Sequence, residues 1–268
     1  LVKTRALEPK ARVFFMQRQR KNRFLSILAA VVIFFAGWQA LVALLRMPAF
    51  ILPSPLQVLA RFAKAFSDGT LARHTAATLL EVLAGLGSGV LFATILGYLL
   101  SRSTLLENIL QPFLVASQAT PTVAIAPLLV IWFGPGLFSK VLICALIVFF
   151  PVLVNTVVGL RSVPENLRDL MRSLRADRWQ TFRLLELPAA LPVLLGGLRI
   201  GATLSVIGAV VGELVGADRG LGFLINVGRG QYDTALVFVG VFTLVIMALL
   251  LYSAVLLTER RLLRWQDA

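Results

Sequence analysis

Six runs of about twenty apolar residues dominate the sequence, at 24–45, 79–100, 112–133, 137–160, 189–215 and 235–257. A bilayer core roughly 30 Å thick takes about 20 residues of helix to cross, and each run is long enough. Lipid offers no partner to a peptide N–H or C=O, so runs of this kind must become helices. The expected fold is therefore all-α: a polytopic membrane protein with about six transmembrane helices. Composition agrees, since 58% of the 268 residues are hydrophobic and 15% charged, against about 25% charged in a soluble domain. The first run is too long for the apolar region of a signal peptide and no small-residue cleavage site follows it, so it reads as a span.

The net charge of +13 would suggest nucleic acid if the basic residues formed one soluble face, but they lie between apolar runs. No nucleic-acid partner is expected. Eighteen Lys and Arg fall in 1–23, 101–111, 161–187 and the C-terminus, seven fall on the opposite side, and Arg199 lies within the fifth run. This bias places both termini of a multi-pass membrane protein in the cytoplasm. Residues 1–23, which include most of RVFFMQRQRKNRF, read as a basic cytoplasmic tail or interfacial helix against anionic membrane lipid. No linker, low-complexity tract or repeat divides 24–268, so that stretch reads as one transmembrane domain with a long cytoplasmic loop at 161–187. Outside, Pro53 and Pro55 precede Leu56, Leu59, Ala60 and Ala63 at helical spacing, which predicts a short external helix.

Catalytic chemistry has little to work with. Cys144 is the single cysteine and His74 the single histidine, so cysteine metal sites and HExxH sites are excluded, and no metal site is expected. His74 is expected outside the core. The chain has no Gly-Lys dipeptide and hence no P-loop, so it is expected to bind no nucleotide and to be no enzyme.

Polar residues gather where two spans are weakened. Pro121 and Pro127 interrupt span three, with Gln118, Thr120 and Thr122 at the first break, and Asn155 follows Pro151 in span four. A substrate path and interhelical hydrogen bonding are both open to such residues. Glycines 85, 89 and 97 on span two, and 196, 197, 201, 208 and 212 on span five, allow close packing or a moving interface. Glu81, Arg199 and Glu213 are ionisable residues near membrane depth; Glu81 and Arg199 are expected at the interface. Glu213 sits in VVGELVGADRGLGFLINVGRGQYD, where glycines permit a tightly turned or re-entrant external segment. Gln118, Thr120, Pro121, Thr122, Asn155 and Glu213 are the candidates for a translocation path or its gate.

The loop 161–187 carries the most informative pattern. Ser162 and Glu165 have capping-box spacing, with Pro164 in the first turn, which predicts a helix start. Leu167, Leu170, Met171 and Leu174 recur at i, i+3, i+4 and i+7 and form one apolar stripe. Asp177 should cap a second helix carrying Trp179, Phe182 and Leu185. A displayed amphipathic helix suits the groove of another protein, although it could also fold against the chain's own membrane ends.

This loop resembles the EAA loop of bacterial ATP-binding-cassette importer permeases, whose pattern is E-A-A, three residues, G, nine residues, I-x-L-P. Asp169-Leu170-Met171 stands for E-A-A, Arg175 for the glycine, and Leu185-Glu186-Leu187-Pro188 for I-x-L-P. A non-glycine residue at 175 must avoid positive φ or bear its strain. The segments LPSPLQVL, PLLVIWFGPGLFSKV, FFPVLVNTVVGLRSV, LPAALP and GELVGADRGLGFLI resemble, in order, the permease group for nitrate, sulfonate, taurine, bicarbonate, thiamine precursors and riboflavin. The resemblance implies a type I importer permease and a second copy or close homologue of it. It also implies two cytoplasmic P-loop ATPase subunits, which bind ATP and Mg, and an external substrate-binding protein. Asp169, Leu170, Met171, Arg172, Ser173, Leu174, Arg175 and Ala176 would then couple to the ATPase. The cargo would be a small organic or anionic solute, and the GELVGADRGLGFLI wording leans towards a thiamine precursor or riboflavin. The alternative is an ion-coupled secondary transporter, which should carry acidic residues in the middle of its spans.

Overall fold

A computed structural model describes residues 26, 29–119 and 121–266. The predicted tail helix within 1–23 lies outside the described residues. Helix α1 is Ala29–Leu45. The external helix α2, Pro55–Ser67, starts on a capping box in which Ser54 accepts from the Gln57 N–H and Gln57 Oε1 accepts from the Ser54 N–H. Its inward residues are Val58 and Ala65, while Leu56 and Leu59 are exposed, so the predicted apolar spacing marks the outer face instead of the packed one. Helix α3, Thr70–Arg102, has 33 residues and so is about 50 Å long.

Span three is two helices, α4 (Thr104–Ala119) and α5 (Thr122–Phe133). Pro121 is the extended residue before α5 and breaks the run, whereas Pro112 and Pro127 are accommodated within helices. Helix α6 is Leu137–Arg161. The cytoplasmic loop forms α7 (Glu165–Ser173) and the one-turn α8 (Arg178–Thr181), then a π-helical turn, Phe182–Glu186, runs into α9 (Leu187–Val215). Helices α10 (Leu221–Gly230) and α11 (Thr234–Leu262) follow. Helices α3, α6, α9 and α11 are long and apolar enough to cross a membrane by themselves; α1, α4 and α5 are shorter apolar helices.

Helices α3, α6 and α9 form the packed centre, and their glycines explain how. A Cβ on Gly208 would lie 2.7 Å from the Cα of Cys144, and one on Gly85 would overlap the Cys144 side chain. Two helices therefore close on α6 at one level, that of Cys144. Gly89 and Gly97 repeat the contact between α3 and α6, and Gly197, Gly201 and Gly212 repeat it between α9 and α6. Gly196 meets no neighbour. Backbone approach of this kind replaces the hydrophobic driving force that lipid does not supply.

Candidate functional site

The cytoplasmic surface is built from α7 outward. None of the α7 residues is buried, and Leu167, Leu170 and Leu174 expose 39%, 52% and 69% of their surface. The predicted stripe therefore exists, with these three leucines left uncovered by the chain itself and Met171 half-buried. The helix does not begin as the sequence suggested. Ser162 is the helical C-cap of α6, at φ −69° and ψ −10°, and its Oγ donates to the Gly159 carbonyl. An N-cap needs extended backbone, so Pro164, at ψ 139°, takes that place without a side-chain hydrogen bond.

The C-terminal end of α7 is a Schellman motif. The Ala176 N–H donates to the Met171 carbonyl and the Arg175 N–H to the Arg172 carbonyl, with Arg175 at φ 55° in the left-handed region. Arg175 thus adopts the conformation of the glycine it replaces in the loop pattern and bears the strain. On the exposed surface beside it, Asp169 pairs with Arg172 at 2.8 Å. Asp177 caps α8 as expected, accepting from the Gln180 N–H at 2.7 Å.

The second surface is a cavity of about 470 Å³ between α5, α6 and α9, lined by Thr122, Phe150, Pro151, Val154, Asn155 and Leu204 among others. Two of the predicted polar candidates, Thr122 and Asn155, are brought together here. Asn155 Nδ2 donates to the Pro151 carbonyl at 2.8 Å, and its side chain packs where a Cβ on Gly197 would stand. Pro121 is exposed beside Thr122. Thr120 and the side chain of Gln118 lie outside the described residues.

Glu213 lies apart from this cavity, in a buried layer at the external ends of α3, α6 and α9. Its carboxylate accepts from the Thr78 hydroxyl and the Gly222 N–H, both at 2.6 Å. Thr78 Oγ1 in turn accepts from the Leu221 N–H at 2.8 Å, and His74 Nδ1 accepts from the Gly220 N–H at 3.0 Å. Three successive N–H groups at the start of α10 are thus satisfied by three side chains from two other helices. Gly220, at φ 115°, has no room for a Cβ, which would fall on the Glu213 carboxylate. The glycines around Glu213 do make a tight turn, and the carboxylate is what they turn around.

Beside this cap, Lys140 Nζ stands 3.2 Å from Glu81 Oε1, with both side chains about 97% buried or more. Burial of such a pair is sustained only by mutual compensation. Both residues line a cavity of about 590 Å³ that also meets Pro135, Asp218 and Arg219. Glu81 and His74 therefore lie inside the packing and not at the interface or outside the core: Lys140 of α6 stands over Glu81, and the start of α10, through Gly220 and Phe223, covers His74. Arg199 is half-buried and pairs with Glu259, near the cytoplasmic end of α11, under the Tyr252 ring. Charges 59 and 73 residues apart along the chain, as from 81 to 140 and 140 to 213, give no local signal of a shared site.

Residues 89–264 match the family described as the binding-protein-dependent transport system inner membrane component. The chain belongs to this family. Among members, it is 50% identical over 242 residues to a riboflavin transport system permease protein, RibX, of Chloroflexus aurantiacus, covering 90% of each chain. It is 36% identical to a formylaminopyrimidine transport permease protein, ThiX, of Halalkalibacterium halodurans, over 85% of this chain and 91% of that one. Identity to the taurine transport system permease protein TauC of Escherichia coli is 35%, over 90% and 89%. In fold it is similar to the inward-facing MetNI methionine ABC transporter, with TM-score 0.61 and 23% identity over 72% of this chain and 95% of that one. The family member described here is thus the transmembrane subunit of an ATP-binding-cassette importer, a multi-pass inner-membrane permease of the type I fold. The ion-coupled alternative gives way to this assignment.

Proposed function

We propose that this permease imports riboflavin or a closely related flavin, pairs with a second copy of itself or a close homologue, and takes its energy from two cytoplasmic ATPase subunits that dock on 169–176. One observation carries the docking reading: α7 presents Leu167, Leu170 and Leu174 to solvent on a loop that the rest of the chain leaves uncovered. An apolar stripe of this kind on a membrane protein's cytoplasmic loop is a partner's contact surface. ATP and Mg then belong to the partner, because this chain has no Gly-Lys dipeptide and so no P-loop.

The flavin reading rests on the 50% identity to RibX along nearly the whole chain. The cavity at Thr122 and Asn155 supports passage of a polar solute between α5, α6 and α9, the helices weakened by Pro121 and Pro151. Selection of the cargo is assigned to an external binding protein, delivered to the outer face formed by α2 and the 216–234 segment.

Two measurements test this together. The chain is purified in mild detergent from its native membrane and the accompanying proteins are identified; a P-loop ATPase and a binding protein are expected. The same complex in liposomes, supplied with internal ATP and labelled riboflavin on the binding protein, should accumulate label. Accumulation of formylaminopyrimidine in place of riboflavin would overturn the cargo, and gradient-driven uptake without any ATPase would overturn the coupling.

A further inference from the structure

We infer that Glu186 is the positioning residue through which movement of α7 reaches the membrane helices; this rests on the proposed docking of an ATPase on α7. Glu186 ends the π-helical turn that leads into α9, and it is 2% exposed. Its Oε2 accepts from Arg102 Nη2, at the last residue of α3, at 2.8 Å. Its Oε1 faces Arg168 Nε of α7 at 3.7 Å. Arg168 Nη2 donates to the Leu160 carbonyl, near the end of α6, at 2.9 Å. One buried carboxylate is therefore the meeting point of α7, α3 and α9, with α6 tied in through the same arginine.

Alternatives for transmission are few on α7 itself, since it buries none of its own side chains. An exposed stripe can receive a partner but cannot push on the membrane helices. The Arg168 side chain, one-third exposed, is the α7 group that reaches inward to a buried charge. Its Nε is also a buried donor without a hydrogen bond. The node thus has one contact made, to Arg102, and one held just beyond hydrogen-bond length, to Arg168. A shift of α7 of less than an ångström would complete it, and packed helices answer small displacements by stepping between arrangements. Glu186 stands on a π turn, a local irregularity that lets the chain rotate into α9 without breaking the helix. Around it, Tyr98 of α3 meets Phe182 edge-on at 5.3 Å, and Phe182 packs on Trp179 at 5.8 Å, so the second half of the loop is bound to α3 as well.

The test uses the whole reconstituted complex with its ATPase and binding protein. Glu186→Gln and Arg168→Gln are each scored for ATPase association, basal ATP hydrolysis, and hydrolysis and transport stimulated by the loaded binding protein. Association and basal hydrolysis should stay at the wild-type level, while stimulated hydrolysis and transport fall by about tenfold. The double variant should be no worse than Glu186→Gln alone, because that variant already removes the link to Arg168. Wild-type stimulation in Arg168→Gln would overturn the inference. Should Glu186→Gln fail to assemble, Arg168→Gln, which leaves the Arg102–Glu186 bond in place, decides alone. Leu170→Glu separates the two readings: if it leaves the ATPase bound, the docking surface is wrong, whatever Glu186 does.

Discussion

The two ends of the permease solve opposite problems with similar residues. At the external end, Glu81, Lys140 and Glu213 are each 2% exposed or less, and Glu213, Thr78 and His74 hold the start of α10 from two other helices. At the cytoplasmic end, α7 buries nothing, and its inward links, to Glu186 and to the Leu160 carbonyl, run through one arginine that is one-third exposed. Buried polar contacts that hold one another in this way make a rigid layer, because each partner's loss strands another charge. A half-made contact beside an uncovered stripe leaves room for a partner to move something. The difference predicts that external substitutions break the fold, and cytoplasmic ones break coupling while sparing the fold.

The strongest test of that division is Lys140→Met. It leaves Glu81, with Oε2 already lacking a hydrogen bond, without its cation inside the packing. Breaking a buried pair in this way costs about 3–5 kcal/mol, so the variant should lose most of its thermal stability in detergent. A wild-type melting temperature would show that the layer is not the rigid element described here. Leu170→Glu should do the reverse. Its side chain is half-exposed, so the fold should be unaffected, but docking would bury an unpaired charge. A loss of about a hundredfold or more in ATPase affinity is expected, read by co-purification and titration, with an unchanged melting temperature. Gly220→Ala comes next: the left-handed backbone and the collision with Glu213 should cost about 1–3 kcal/mol and loosen α10, measurable as faster amide exchange at 220–222.

The sequence made one of these ends far more legible than the other. Span positions followed from run length alone, and the stripe on α7 from local spacing, since both are properties of neighbouring residues. The capping box at Ser162 failed because α6 keeps that residue helical to its end. Span three became two helices because Pro121 cannot continue α4, while Pro127 is tolerated within α5. The external layer was invisible for a different reason. Glu81, Lys140 and Glu213 come from three helices, and only close packing at glycines such as Gly85, Gly208 and Gly212 brings them to one level. Glycine spacing predicted that the helices approach closely; it carried no information on which charges would meet. Thr122 and Asn155 were legible singly, as polar residues near Pro121 and Pro151, but their meeting at one cavity was not, since they come from separate helices.

The finest test concerns a residue where the comparison blurs. Arg175 stands at φ 55°, in a turn that the loop pattern assigns to glycine, and so carries local strain at the cytoplasmic end. Replacing it by glycine removes a left-handed penalty of about 1–2 kcal/mol, but it also frees the unfolded chain by about 0.4–1 kcal/mol. The net gain in stability should therefore lie between about 0 and about 1.6 kcal/mol, seen as a small rise in melting temperature. Because Arg175 accepts its conformation from the Schellman hydrogen bonds of Ala176 and of its own N–H, glycine should preserve the turn and leave the Leu167–Leu174 stripe in place. ATPase association should then survive in Arg175→Gly. If association is lost while the melting temperature rises, the guanidinium itself contacts the ATPase, and the docking surface extends past the apolar stripe to the charged rim of α7.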